Sequence, residues 1–152
     1  MADLTADADI RILGQAYTER FIVETTASMT YYRGQPIMVV QLTDATGPLV
    51  PWVDSEVKND DVFMGIIAEG GSVVAADPET QEVECYVGPT IIGFKSTGIF
   101  TAGDAYGAEC YKSDSDLLSA TIGDNPRLGK VWKVEGDYVF VRLETPYICA
   151  GA

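Results

Sequence analysis

TAGDAYGAECYKSDSD, residues 101–116, divides two readings of the chain. It gathers Gly103, Gly107, Asp104, Asp114, Asp116, Glu109 and Cys110. Read as a site, the acids and the thiol would hold a metal or take part in catalysis. Read as structure, Gly103 and Asp104 make a turn, 105–111 is a strand, and Asp114 and Asp116 are its solvated exit. A calcium loop needs acids at alternate positions, a glycine at the sixth and a closing glutamate at the twelfth. Here only Asp114 and Asp116 alternate, and the glycine is absent. The stretch is therefore read as a turn feeding a β-strand, with no metal and no catalytic residue.

The rest of the composition points the same way. The chain has 152 residues, 47% hydrophobic and 22% charged, which suits one folded domain with a sizeable core. No apolar run approaches the ~18 residues of a membrane span. The opening MADLTADADI has neither the basic nor the apolar region of a signal peptide, so the expected place of synthesis is a cytoplasm. The net charge of −13 disfavours nucleic acid and anionic membrane as partners. Cys85, Cys110 and Cys149 are far apart and read as free structural thiols. There is no histidine, which removes the usual general base and every Ser-His-Asp or Cys-His arrangement. An enzyme would depend on carboxylates such as Asp60 and Asp61, or Glu82 and Glu84, and on such an acidic chain these are expected to lie close by chance. The expectation is a protein that is not an enzyme and needs no cofactor.

Short runs rich in Val, Ile, Thr and Tyr, separated by Gly, Pro, Asp and Asn, predict strands. They fall at 21–26, 36–42, 65–69, 72–75, 82–87, 107–111, 127–134 and 138–143. The best helical stretch, 53–61, is short and acidic. Asp77-Pro78-Glu79-Thr80 and Glu135-Gly136-Asp137 read as hairpin turns. An internal echo links YYRGQPIMVVQLTDATG to FTAGDAYGAECYKSDSD, each followed by a strand that starts at a glycine. The spacings are 31 residues from Gly34 to Gly65 and 26 from Gly103 to Gly129. The fold class expected is all-β: a small barrel or sandwich built from two related β-units.

The expected organisation is an extended N-terminal arm over 1–20, a barrel-like domain over 21–145 and a short tail over 146–152. Such ends are held by a partner or by wrapping on their own domain. The arm residues Leu4, Ile10, Ile12 and Leu13 are candidates for strand addition to a partner sheet. Trp52, Tyr147 and Ile148 are candidates for an oligomer or partner interface. Trp52, Trp132, Tyr31, Tyr32 and Tyr138 suit core and interface packing; a glycan-stacking platform through Trp52, Tyr31 and Tyr32 is the alternative.

RGQPIMVV, DDVFMGIIAE, VECYVGPTIIGF, FTAGDAYGAECYKSD and RLGKVWKVEGDYVFVRL together resemble a family encoded in the head-gene modules of tailed bacteriophages. The order that carries the resemblance is a glycine-led strand, a polar turn, the Arg127-Leu128-Gly129-Lys130-Val131 strand and the closing Val139-Phe140-Val141-Arg142-Leu143 strand. It covers about two-thirds of the chain, from about 33 to 143. The resemblance implies a capsid decoration, or cement, protein: a homotrimeric β-barrel on the exterior of the virion, assembled in the host cytoplasm and clamping the major capsid protein of an expanded head. The arm and the 53–61 segment lie outside the resemblance. The alternative of another class is a β-sandwich module of a head fibre or surface domain that binds host glycan.

Overall fold

The computed structural model describes residues 8–24, 29–39, 49–51, 62–73, 80–95, 100, 106–112, 118–120, 127–145 and 147–148. Among them the chain is all β, without helix. The strands are β1 (Ile10–Leu13), β2 (Thr18–Glu24), β3 (Met29–Tyr31), β4 (Pro36–Val39), β5 (Leu49–Pro51), β6 (Val62–Ile67) and β7 (Gly71–Val73). They continue with β8 (Thr80–Tyr86), β9 (Ile91–Lys95), β10 (Glu109–Lys112), β11 (Leu118–Ser119), β12 (Arg127–Glu135), β13 (Tyr138–Leu143) and β14 (Tyr147–Ile148). The 53–61 stretch, the Asp77–Thr80 turn except Thr80, and Asp104, Asp114 and Asp116 lie outside the described residues.

Two antiparallel sheets carry the fold, and they share one plan. The first runs β2-β8-β6-β4-β5; the second contains β9-β13-β12-β10-β11 and adds β1 beside β9. In chain order each unit is a strand, a hairpin, a central strand and a return strand, and the return strand slots between the first and the central ones. The agreement extends to single residues. Ile37 faces Gly65 across β4 and β6, and Cys110 faces Gly129 across β10 and β12. Both ladders shift register at the next residue, Met38 in one and Tyr111 in the other.

The two units therefore superpose Gly34 on Gly107, Gly65 on Gly129, Ile67 on Val131 and Cys85 on Val141. Hydrogen bonds repeat in the same frame. Gly34 N–H donates to Ile67 O and Gly107 N–H to Val131 O. Ile67 N–H donates to Gln35 O and Val131 N–H to Ala108 O. Val87 N–H donates to Tyr17 O and Leu143 N–H to Thr90 O. Tyr17 and Thr90, equivalent and 73 residues apart, also bond to each other: Tyr17 N–H donates to Thr90 Oγ1 at 2.8 Å, and that hydroxyl donates to Tyr17 O at 3.1 Å. The units thus meet where their corresponding residues touch.

The glycines show why the plan is readable in sequence. A Cβ on Gly65 would lie 2.6 Å from Tyr86 O, and one on Gly129 would collide with Arg142 O, again equivalent atoms. Gly34 and Gly107 both hold positive φ, +97° and +75°, where a side chain is strained. Gly107, not Gly103, is the partner of Gly34; Gly103 lies outside the described residues.

Two clusters form the core. Ile37, Ile67, Val83, Cys85 and Tyr31 fill the inside of the first unit. Ile92, Phe94, Cys110, Leu128, Val131 and Val141 fill the inside of the second. Phe63 and Ile66 of β6 belong to this second cluster, and Tyr86 packs against it. Neighbouring residues Ile66 and Ile67 thus serve different clusters, so β6 is buried on both faces and joins the units. The first sheet also curls until its edge strands β2 and β5 approach each other. Cys85 and Cys110 are both buried.

Two segments near the termini, Ile10–Leu13 and Tyr147–Ile148, pair with their own domain. Ile10–Leu13 pairs antiparallel with β9, and Ile10 is only 5% exposed in the core. β2 starts at Thr18, so the boundary at residue 20 cuts through the domain instead of separating an arm from it. In the 146–152 tail, Tyr147 pairs with Phe63 and Ile148 with Val62 on β6. Of the two expectations, a partner or wrapping on the same domain, backbone pairing within the chain holds Ile10–Leu13 and Tyr147–Ile148.

Candidate functional site

Strand alternation gives the second sheet a core face and an outer face. On β13, Val139, Val141 and Leu143 point to the core, and Tyr138, Phe140 and Arg142 point away from it. Across the ladder Lys130 lies beside Arg142, Lys133 beside Phe140 and Lys95 beside Tyr138. Arg11 of β1 stacks over the Tyr138 ring, 3.9 Å from its centroid. Tyr138 in turn donates its hydroxyl proton to Asp9 at 2.5 Å, a bond that raises the phenol's pKa. Phe140 lies flat over Gly93, where a Cβ would sit 2.7 Å from its ring, and Lys133 Nζ stands 5.1 Å from the ring centroid.

Trp132 would break the alternation, and a bulge accommodates it. The register shifts between Val131 and Lys133, so both Val131 and Val134 still reach the core. The extra residue, Trp132, is aimed outward and is 48% exposed. Beside it lies a groove of about 420 Å³, lined by Trp132, Lys130, Lys133, Arg142, Tyr106 and Glu144.

Arg127 closes the end of this face. It is 7% exposed and bonds Glu109 through Nε, and Glu144 through a terminal nitrogen at 2.9 Å. Hydrogen bonding to Arg127 lowers the pKa of Glu109. The same bond leads the causes that raise the guanidinium's pKa. Glu109 of the 101–116 stretch is thus engaged in an ion pair and Cys110 is core; the strand expected over 105–111 is Glu109–Lys112, with Tyr106 and Gly107 in the turn before it. Lys133 is paired with Glu135 at 2.6 Å. Lys130 and Arg142 have no ion pair among the described residues.

The outer face collects Arg11, Lys95, Arg127, Lys130, Lys133 and Arg142, six of the chain's ten Lys and Arg residues. Four carboxylates, Asp9, Glu109, Glu135 and Glu144, share the face, so on a protein of net charge −13 it keeps a local excess of cations beside the exposed rings of Trp132 and Tyr106. On the first sheet the comparable exposed ladder is acidic: Arg20 lies 3.7 Å from Glu82 and 3.3 Å from Glu84, all solvent-accessible. On the cation-rich face Glu109 and Glu144 bond Arg127, Glu135 bonds Lys133, and Asp9 accepts from Tyr138.

The sequence-derived candidates distribute differently. Ile10, Ile12 and Leu13 sit in β1, beside the basic face; Leu4 and Trp52 lie outside the described residues. Tyr147 and Ile148 are paired to β6, away from Ile10–Leu13 in the sheet order. Of the aromatic platform, Tyr31 is 9% exposed, packs in the first core cluster and has its pKa raised by burial, so it is not available for stacking. Sequence pattern did not single out Lys130, Lys133, Arg142 or Tyr106. The usable signal was the crowding of Arg127, Lys130, Lys133 and Arg142, four of ten bases, into one hairpin.

Comparison with protein-family models, with curated proteins and with solved structures finds no match.

Proposed function

We propose that this is a structural capsid decoration protein, which binds the outside of an expanded phage head as a homotrimer and clamps neighbouring major capsid subunits. The observation that supports the reading best is the local excess of cations, beside exposed Trp132 and Tyr106, on the outer face of the second sheet of an otherwise acidic chain. Such a face fits docking to an acidic protein surface, and the remaining charge keeps unbound copies apart. The family resemblance of the 33–143 region supplies the identity of that surface.

β1 offers a second contact. It is the last strand of its sheet, with β9 on one side and no strand on the other among the described residues. An open strand edge can accept a further strand, main-chain bonds supplying affinity. Binding only the expanded shell would stabilise that state by mass action. The protein would then reside on the virion exterior.

Co-sedimentation with empty expanded heads tests the proposal. The expected result is saturable binding in three-fold stoichiometry that weakens with salt. Absence of saturable binding would overturn it.

A further inference from the structure

We propose that the groove beside Trp132 receives an extended acidic peptide segment of a partner protein, with carboxylates on Lys130 and Arg142 and an apolar side chain on Trp132. Three observations lead there. First, the groove holds about 420 Å³ beside a half-exposed Trp, enough for a few side chains and too open to enclose a small metabolite. Second, its charge is unbalanced. Arg127 is shared by Glu144 and Glu109, and Lys133 is held by Glu135; Lys130, opposite Glu109 in the ladder, and its other cross-strand neighbour Arg142 make no ion pair among the described residues and face solvent side by side. Two neighbouring cations of this kind present complementary charge to a carboxylate-bearing chain.

Third, the repeat supplies an internal comparison. The positions equivalent to Arg127, Lys130 and Arg142 in the first unit are Phe63, Ile66 and Tyr86. Phe63 and Ile66 are completely buried in the cluster shared with the second sheet, and Tyr86 packs against it. The same place on the scaffold is a covered contact surface in one unit and an open, cationic one in the other. A long polyanion fits less well, because the charge of the rest of the chain would repel whatever extends beyond the groove.

The inference rests on the capsid reading for the identity of the partner, but not for the chemistry of the groove. The test is fluorescence anisotropy of a labelled peptide alternating glutamate and leucine, titrated with the full chain, with its lysine counterpart and a single-stranded oligonucleotide as controls. The Glu-Leu peptide is expected to bind, more weakly as salt rises. The Lys130→Gln/Arg142→Gln double variant and Trp132→Ala are each expected to lose about tenfold or more in affinity. Lys95→Gln, on the same face outside the groove, is expected to bind as the parent does. Unaltered thermal unfolding of these surface variants keeps the comparison clean. No binding, equal binding by the double variant, or preference for the oligonucleotide would overturn the groove.

Head co-sedimentation of the same variants separates the two proposals. Full head occupancy by a double variant that has lost the peptide supports both decoration and the groove and assigns the groove a partner other than the head; full occupancy with peptide binding retained overturns the groove alone. Peptide binding without head binding supports the groove and overturns decoration.

Discussion

The two β-units of this chain solve the same backbone problem with different surfaces. Gly65 and Gly129 stand at one register position, each pressed against the carbonyl of the return strand. Ile67 and Val131 both point into their unit's core. One residue away, on the other face, the units part. Ile66 is buried between the sheets, and Lys130 faces solvent. The inward positions obey packing and converge on similar side chains. The outward positions obey whatever lies beyond the unit: in the second unit Lys130, Trp132 and Arg142 are exposed, while Tyr138 and Phe140 are covered by their own neighbours Arg11 and Lys133.

Exchanging the residues tests that contrast most severely. Ile66→Lys buries a charge with no partner and is expected to cost about 4 kcal/mol or more in denaturant unfolding. A loss below 1 kcal/mol would mean that the first unit's outer face is not sealed.

Next is Gly129→Ala. The new Cβ would collide with Arg142 O, a backbone atom that cannot swing aside, and the expected loss is about 3 kcal/mol. Gly65→Ala should lose less, since its contact with Tyr86 O is longer. Equal tolerance of alanine at both sites would undo the shared register.

Arg127→Met removes a cation whose equivalent in the first unit is Phe63. Its two partners are less than half exposed, at 43% and 42%, so solvent screens part of the loss and about 2 kcal/mol is expected. The effect depends on pH. Glu109 has a folded pKa below the ordinary carboxylate value of about 4.3, so its stabilisation is present above that value and disappears as pH falls through the folded pKa. The gap between parent and variant should therefore close on acidification. A gap that widens in acid would contradict the ion pair.

Smaller effects are expected at the thiols and the surface. Burial pushes the Cys85 pKa up to about 12, so alkylation at pH 8 should require unfolding. Rapid modification of Cys85 in the native protein, read by mass spectrometry, would show that the first core opens easily. Lys130→Ile, the reverse of the first exchange, should change stability by less than about 0.5 kcal/mol and show only in partner binding. A large loss there would make Lys130 a structural residue.

Strand-forming composition and glycine punctuation placed β2, β4, β6, β7, β8, β10, β12 and β13, and the repeated glycine-led plan was visible as well. The echo was aligned on Gly103 because φ is not written in a sequence; Gly107 takes that place through its bond to Val131 O. β9 escaped notice although IIGFK is strongly β-prone. Gly93 reads as a break, yet it is small because the Phe140 ring lies over it. Trp132 was read as packing, because only the ladder with β13 reveals the bulge that turns it outward.

By itself the sequence determined the all-β class, the two-unit plan and the absence of histidine chemistry. These follow from local preferences and residue identity, which act over a few positions. Tertiary structure alone decided that the ends pair with β9 and β6, that Ile66 is covered while Lys130 is open, and that six dispersed bases share one face. Those outcomes depend on which strands become neighbours, and that is set by contacts between residues far apart in the chain, which local pattern does not record.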